Sequence, residues 1–182
     1  CLLGALRAAR IERPWLAGIL GGLCALSRPT GILVIIPLFD ELLLSVRRQT
    51  ARAWGSRAAA LGLPFAALFG YMLYCRAAFG AWAPFMERQT RWRGAVSGPW
   101  RAFARYLESP RLHDAHHSTI DLVLAVLLVA SLPLLYLRLR RSYALYATAA
   151  ILVPLTSTLW SFSRFAATIF PFHVLLATLA GP

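Results

Sequence analysis

Long apolar runs without a charge, each ended by an arginine or an aspartate, constrain this chain more than any other feature of its sequence. Ala58 to Cys75 lies between Arg57 and Arg76, Leu122 to Leu137 between Asp121 and Arg138, and Ser142 to Ser163 between Arg141 and Arg164. About 20 mostly apolar residues cross a bilayer as an α-helix, with roughly 17 to 25 tolerated, so each of these runs reads as a crossing. Phe165 to Ala180 is shorter, has only His173 as a titratable interruption, and reads as a fourth crossing if the chain continues beyond it. The expected fold is all-α, a polytopic transmembrane helical bundle.

Composition supports this and removes other classes. The 182 residues are 59% hydrophobic and 14% charged with a mean hydropathy of +0.61, whereas soluble domains are about one quarter charged. The net charge of +12 comes from 19 basic residues, all of them arginine, against 7 acidic ones. Nucleic-acid binders gather such charge on a soluble basic face; here the arginines separate apolar runs, so the expected partner is the lipid bilayer and no nucleic acid. Cys1, Cys24 and Cys75 lie in or beside apolar segments, where free cysteine behaves as a small hydrophobe. No Cys-x-x-Cys pair, Gly-rich phosphate loop or Gly-x-Ser-x-Gly elbow is present. Cys1 to Leu6 lacks the charged start and cleavage site of a signal peptide. It reads as the tail of a helix, and residues 1–182 as part of one transmembrane domain that lacks its N-terminal portion.

The first 50 residues are less regular. Pro14 to Leu26 and Gly31 to Val46 are separated by Ser27-Arg28-Pro29-Thr30, and neither segment comfortably spans the hydrocarbon alone. They read as a hairpin. Gly18 and Gly22 have the small-xxx-small spacing that lets another helix approach closely, or simply mark a glycine-rich helix. Three arginine clusters, at 7–13, 47–57 and 138–141, are each separated by two proposed spans. All three then fall on the cytoplasmic side by the positive-inside rule. The Arg28 turn, a long loop at about 77–118 and the Ser161 to Phe165 connection face the other side.

That loop interleaves Trp82, Phe85, Trp92, Trp100, Phe103 and Tyr106 with arginines. After Pro99, the residues Trp100, Phe103 and Leu107 take one helical face and Arg101, Arg105 and Glu108 another, which predicts a helix lying in the membrane interface. Such residues anchor a protein at headgroups, and guanidinium groups also hold phosphate through paired hydrogen bonds. Arg28 and Arg164 stand alone at the outer mouths of the helices, where ionisable groups face a bundle interior or snorkel. Asp40 and Glu41 are expected to pair with Arg47 or Arg48. His113, Asp114, His116 and His117 lack a fourth well-spaced ligand and read as a solvated loop rather than a metal site.

Ala25-Leu26-Ser27-Arg28-Pro29-Thr30-Gly31 with Pro37, then Phe79-Gly80 with Gln89 and Trp92, then Ser161-Phe162-Ser163-Arg164-Phe165 follow one another along most of the chain. In this order they resemble the PIG-V-type mannosyltransferases, relatives of the second GPI mannosyltransferase, within the GT-C class of membrane glycosyltransferases. The resemblance implies mannosyl transfer from a polyprenyl-phosphate-linked sugar to an acceptor on the extracytoplasmic side. It also implies a carboxylate base in an external loop upstream of Cys1; none of the acidic residues present matches it, so no catalytic residue is assigned. Family members carry an acidic residue soon after Phe-Gly, where this chain has Ala81-Trp82-Ala83. The substrate-binding residues implied are Arg28 and Arg164 with Arg91 or Arg93 on the lipid phosphate, and Gln89 and Trp92 on the sugar or lipid. No metal-binding residues are assigned, and the sequence does not identify a cofactor or a metal requirement. The localisation is a multi-pass membrane protein of the plasma or inner membrane in a bacterium, or of the endoplasmic reticulum in a eukaryote. The rival reading is a transporter or flippase for an anionic lipid or solute, since an arginine-lined cavity serves passage equally well.

Overall fold

A computed structural model describes residues 1–46, 51–93, 96–112 and 118–181, without the side chains of 43–46, 51–53 and 92–93. The described residues are all-helical, with one isolated bridge joining Arg111 and Ser118 and no strand. The elements are α1 (Leu2–Arg10), α2 (Pro14–Ser27), a 3₁₀ helix (Pro29–Val34), α3 (Ile35–Val46), α4 (Ala51–Phe79), α5 (Pro84–Arg93), α6 (Trp100–Glu108), α7 (Thr119–Arg138), α8 (Arg141–Leu155), α9 (Phe162–Ala166) and α10 (Phe170–Ala180). They divide into two compact units, Cys1–Pro84 and Phe85–Pro182.

In the first unit α2 is the central helix, packed on α1, on the 3₁₀ helix and above all on α4. Glycine makes the last contact possible. A Cβ on Gly18 would overlap the backbone carbonyl oxygen of Ala60, and one on Gly22 would press on the Ala67 methyl at 3.3 Å. The small-xxx-small spacing is therefore occupied, and the neighbour it admits is α4. α1 reaches α3, where Arg10 donates from both Nε (3.0 Å) and Nη2 (2.6 Å) to Glu41 Oε1. Arg47 and Arg48, the partners expected for Asp40 and Glu41, lie outside the described residues; the hairpin returns α3 to the end of α1, which brings Glu41 to an arginine 31 positions away.

The second unit is held by larger side chains. Phe162, Leu128, Leu135, Ile151, Leu155, Leu159, Ile169 and Leu175 are all at most 1% exposed. α7 and α8 pair, and Phe170 at the start of α10 packs edge-on against Tyr143 and face-on against Tyr146 of α8.

Two described helices are long and apolar enough to cross a membrane, Trp54–Phe79 within α4 and Thr119–Arg138. Their apolar side chains largely face away from their own units: Phe65 and Phe69 on α4, and Val123, Val126 and Leu127 on α7, are half exposed. The run Ser142 to Ser163 differs from the expectation. Helix α8 stops at Leu155, and its 15 residues span only about 22 Å, short of the ~30 Å hydrocarbon core. Beyond Leu155 the Thr156 and Ser157 hydroxyls bond back to the carbonyls of Val153 and Pro154 at 2.7 and 3.0 Å. The run from Phe165 is likewise broken, since α9 ends at Ala166 and Pro171 opens a new first turn in α10.

Candidate functional site

The most organised polar region of the second unit lies at the end where α6, the start of α7, the segment after α8 and α9 meet. Ser118 caps α7, its Oγ accepting from Asp121 N at 3.3 Å. Ser118-Thr119-Ile120-Asp121 spells a capping box, in which the acidic side chain ordinarily turns back to the cap residue. Here the Asp121 carboxylate is used elsewhere: Oδ1 accepts from the backbone N–H of Ser163 at 2.7 Å, with Asp121 only 4% exposed. The buried carboxylate thus gives an acceptor to the first turn of α9, where N–H groups otherwise lack one, while the Ser118 hydroxyl caps α7.

Ser161, just before α9, is left-handed at φ 54°, a conformation that L-residues other than asparagine and aspartate seldom adopt. The turn sends Phe162 into the core and leaves Arg164 exposed on α9, directly after the Ser163 amide that Asp121 holds. Neighbouring bonds fix the surroundings. Ser97 N–H donates to Thr156 O at 2.6 Å, joining the lead into α6 to the end of α8. The Tyr106 and Thr119 hydroxyls share a hydrogen bond of 2.8 Å, and Thr119 N–H and Oγ1 both donate to Arg111 O.

Helix α6 forms where the periodicity places it, with a different face inward. Ala102 and Tyr106 are buried and Phe103 half-buried, whereas Trp100 and Leu107 are 70% and 75% exposed. Its apolar stripe is therefore shared between the protein and the outside. The stretch read as a loop also holds α5, which carries Gln89 and Arg91, both exposed. The Trp92 backbone belongs to α5 as well, and its side chain lies outside the described residues, as does that of Arg93. The His113, Asp114, His116 and His117 cluster also falls outside them. Among the described residues no three His, Cys, Asp or Glu side chains come together to hold a metal ion.

In the first unit Arg28 occupies the break between α2 and the 3₁₀ helix. Pro29 forces the residue before it away from the helical region, and Arg28 is extended at φ −156°, ψ 147°. Ser27 Oγ bonds to Cys24 O at 2.8 Å, and Gly31 N–H closes the turn onto Arg28 O at 2.8 Å. Gly31 sits so close to the Cys24 carbonyl that any Cβ would overlap it. Arg28 and Arg164 are both exposed rather than enclosed in their own units. Arg28 lies at the break between α2 and the 3₁₀ helix, and Arg164 within the short helix α9.

The cap position of Asp121 in Ser118-x-x-Asp121 is legible in the sequence, whereas its bond to Ser163 is not. Comparison with protein-family models, with curated proteins and with solved structures finds no match.

Proposed function

We propose that this chain is part of a membrane glycosyltransferase that moves a mannosyl group from a polyprenyl-phosphate donor to an acceptor on the extracytoplasmic side. The observation that carries the reading is the Ser161-Phe162-Ser163-Arg164 turn. It is one of the stretches resembling the PIG-V-type enzymes, and it is held to the start of a helix of spanning length by Asp121. A guanidinium on such a fixed mount suits a leaving group that gains negative charge in the transition state. The reaction is an inverting displacement at the anomeric carbon: the acceptor oxygen forms the new glycosidic bond, the bond to the lipid phosphate breaks, and a carboxylate takes the acceptor proton. In this reading Arg28 and Arg164, helped by Arg91 or Arg93, bind the phosphate, with Gln89 and Trp92 positioning the sugar or lipid. The multi-pass bundle and the cytoplasmic placement of the three arginine clusters belong to the same proposal.

The test is mannosyl transfer from polyprenyl-phosphate mannose by the full-length protein in detergent. Arg164→Gln and Arg28→Gln should each lower kcat by about 10²-fold, the scale of losing one preorganised stabilising group, with unchanged elution on size exclusion. Near-normal transfer in both variants rejects the assignment; donor binding with no transfer to any acceptor favours transport.

A further inference from the structure

Helix α6 is tied to its unit on both sides. Before it, Ser97 N–H donates to Thr156 O, one residue past the end of α8. Towards its other end the Tyr106 hydroxyl is bonded to Thr119, the first residue of α7, and Thr119 N–H donates to Arg111 O. Only Leu139 and Arg140 separate α7 from α8, and the two pack as a pair. The end of α8 and the head of α7 therefore lie at the same end of that pair. A helix of 9 residues, about 13 Å long, that is bonded to both runs across this end rather than along the pair.

These bonds decide which sides of α6 stay open. Ala102 and Tyr106 turn into the unit, and Phe103 packs against its core. To one side of that buried line Trp100 and Leu107 are exposed; to the other lie Arg101 and Glu108, also exposed, and the half-buried Arg105. Ile120, next to Thr119, is half exposed and begins the open apolar face that α7 continues with Val123 and Leu127. Trp100 and Leu107 thus stand at the level where hydrocarbon begins once α7 spans a bilayer. Charge at this level is one-sided. Among the described residues 96–112, Arg101, Arg105 and Arg111 stand against the single carboxylate of Glu108, and none of the three guanidinium groups has a partner among the described residues. A helix with tryptophan and leucine on one side and arginine on the other lies in the headgroup layer, and free cations there attract anionic lipid.

We propose that α6 is seated on an anionic bilayer surface, with Trp100 and Leu107 in the acyl boundary and Arg101, Arg105 and Arg111 at lipid phosphates. The bonds on both sides of the helix fix how it lies, which periodicity leaves open, and the free arginines fix the sign of the lipid. The proposal requires that α7 crosses the bilayer and is independent of sugar transfer.

The experiment uses the full-length protein with its exposed cysteines, such as Cys1, replaced by serine. A single spin label is attached through Leu107→Cys or Glu108→Cys, in vesicles of phosphatidylcholine alone or mixed with phosphatidylglycerol. Collisions with oxygen, which concentrates in hydrocarbon, are compared with collisions with a water-soluble nickel complex. The label at position 107 should favour oxygen and its neighbour at 108 nickel. The label at 107 should also sit deeper when phosphatidylglycerol is present, and Arg101→Gln combined with Arg105→Gln should cancel that shift. Nickel access at both positions leaves the face in water and overturns the proposal. Shielding of position 107 from both reagents means that protein, a partner or a second copy, covers it, which also overturns the proposal. Equal depth in the two kinds of vesicle overturns the assignment to anionic lipid. Should the double arginine variant fail to fold, the contrast between positions 107 and 108 and between the two vesicle types still decides the question.

Discussion

The two units differ in their closest helix contact. In Cys1–Pro84 that contact is backbone on backbone: Gly18 and Gly22 let α2 lie directly on α4, with Ala17, Ala25 and Ala60 buried and larger side chains such as Leu6 and Leu38 filling in around it. In Phe85–Pro182 the centre is filled by Phe162 and a set of leucines and isoleucines from α7, α8 and the segments after them. Close backbone approach is the means by which helices associate where lipid is as apolar as leucine, whereas interdigitated large side chains build a core by volume. The first unit is consequently sensitive to atoms added and the second to atoms removed.

Three substitutions sharpen or break that contrast, read by denaturant or thermal unfolding of the purified protein. Phe162→Ala has the largest expected effect, a loss of about 3–5 kcal/mol from a fully buried ring; a loss below 1 kcal/mol would show that the second unit is not held by volume. Gly18→Ala adds one methyl and should still cost about 1–3 kcal/mol, because the obstacle is the Ala60 backbone rather than a side chain able to turn aside. A neutral result there would remove the case for backbone packing. Gly62→Ala, on the open face of α4, should stabilise by about 1 kcal/mol through helix propensity alone. If it destabilised as much as Gly18→Ala, the distinction between the two faces of α4 would be lost.

The sequence conveyed helices and their apolar character well, because Ala58 to Cys75 and Leu122 to Leu137 are uninterrupted and α4 and α7 follow them. It was read too generously after Arg141. Run length counts apolar residues and does not register where the helix stops, which in α8 is Leu155. The mount of Arg28 was legible, since Pro29 dictates an extended residue before it. That of Arg164 was not: its anchor is a side chain 42 positions earlier, and nothing local to Ser163 announces it. The ion pair of Arg10 with Glu41 was hidden for the same reason. Local patterns specify elements, and these two contacts exist only once the elements are assembled.

The bond from Ser163 to Asp121 also sets an order of events. Closing a loop of 42 residues costs more conformational entropy than forming a helix turn, and contacts of high sequence separation form late. During synthesis the Asp121 carboxylate leaves the ribosome 42 residues ahead of the amide it will hold. The turn bearing Arg164 therefore gains this anchor only when α9 has come to lie beside the first turn of α7.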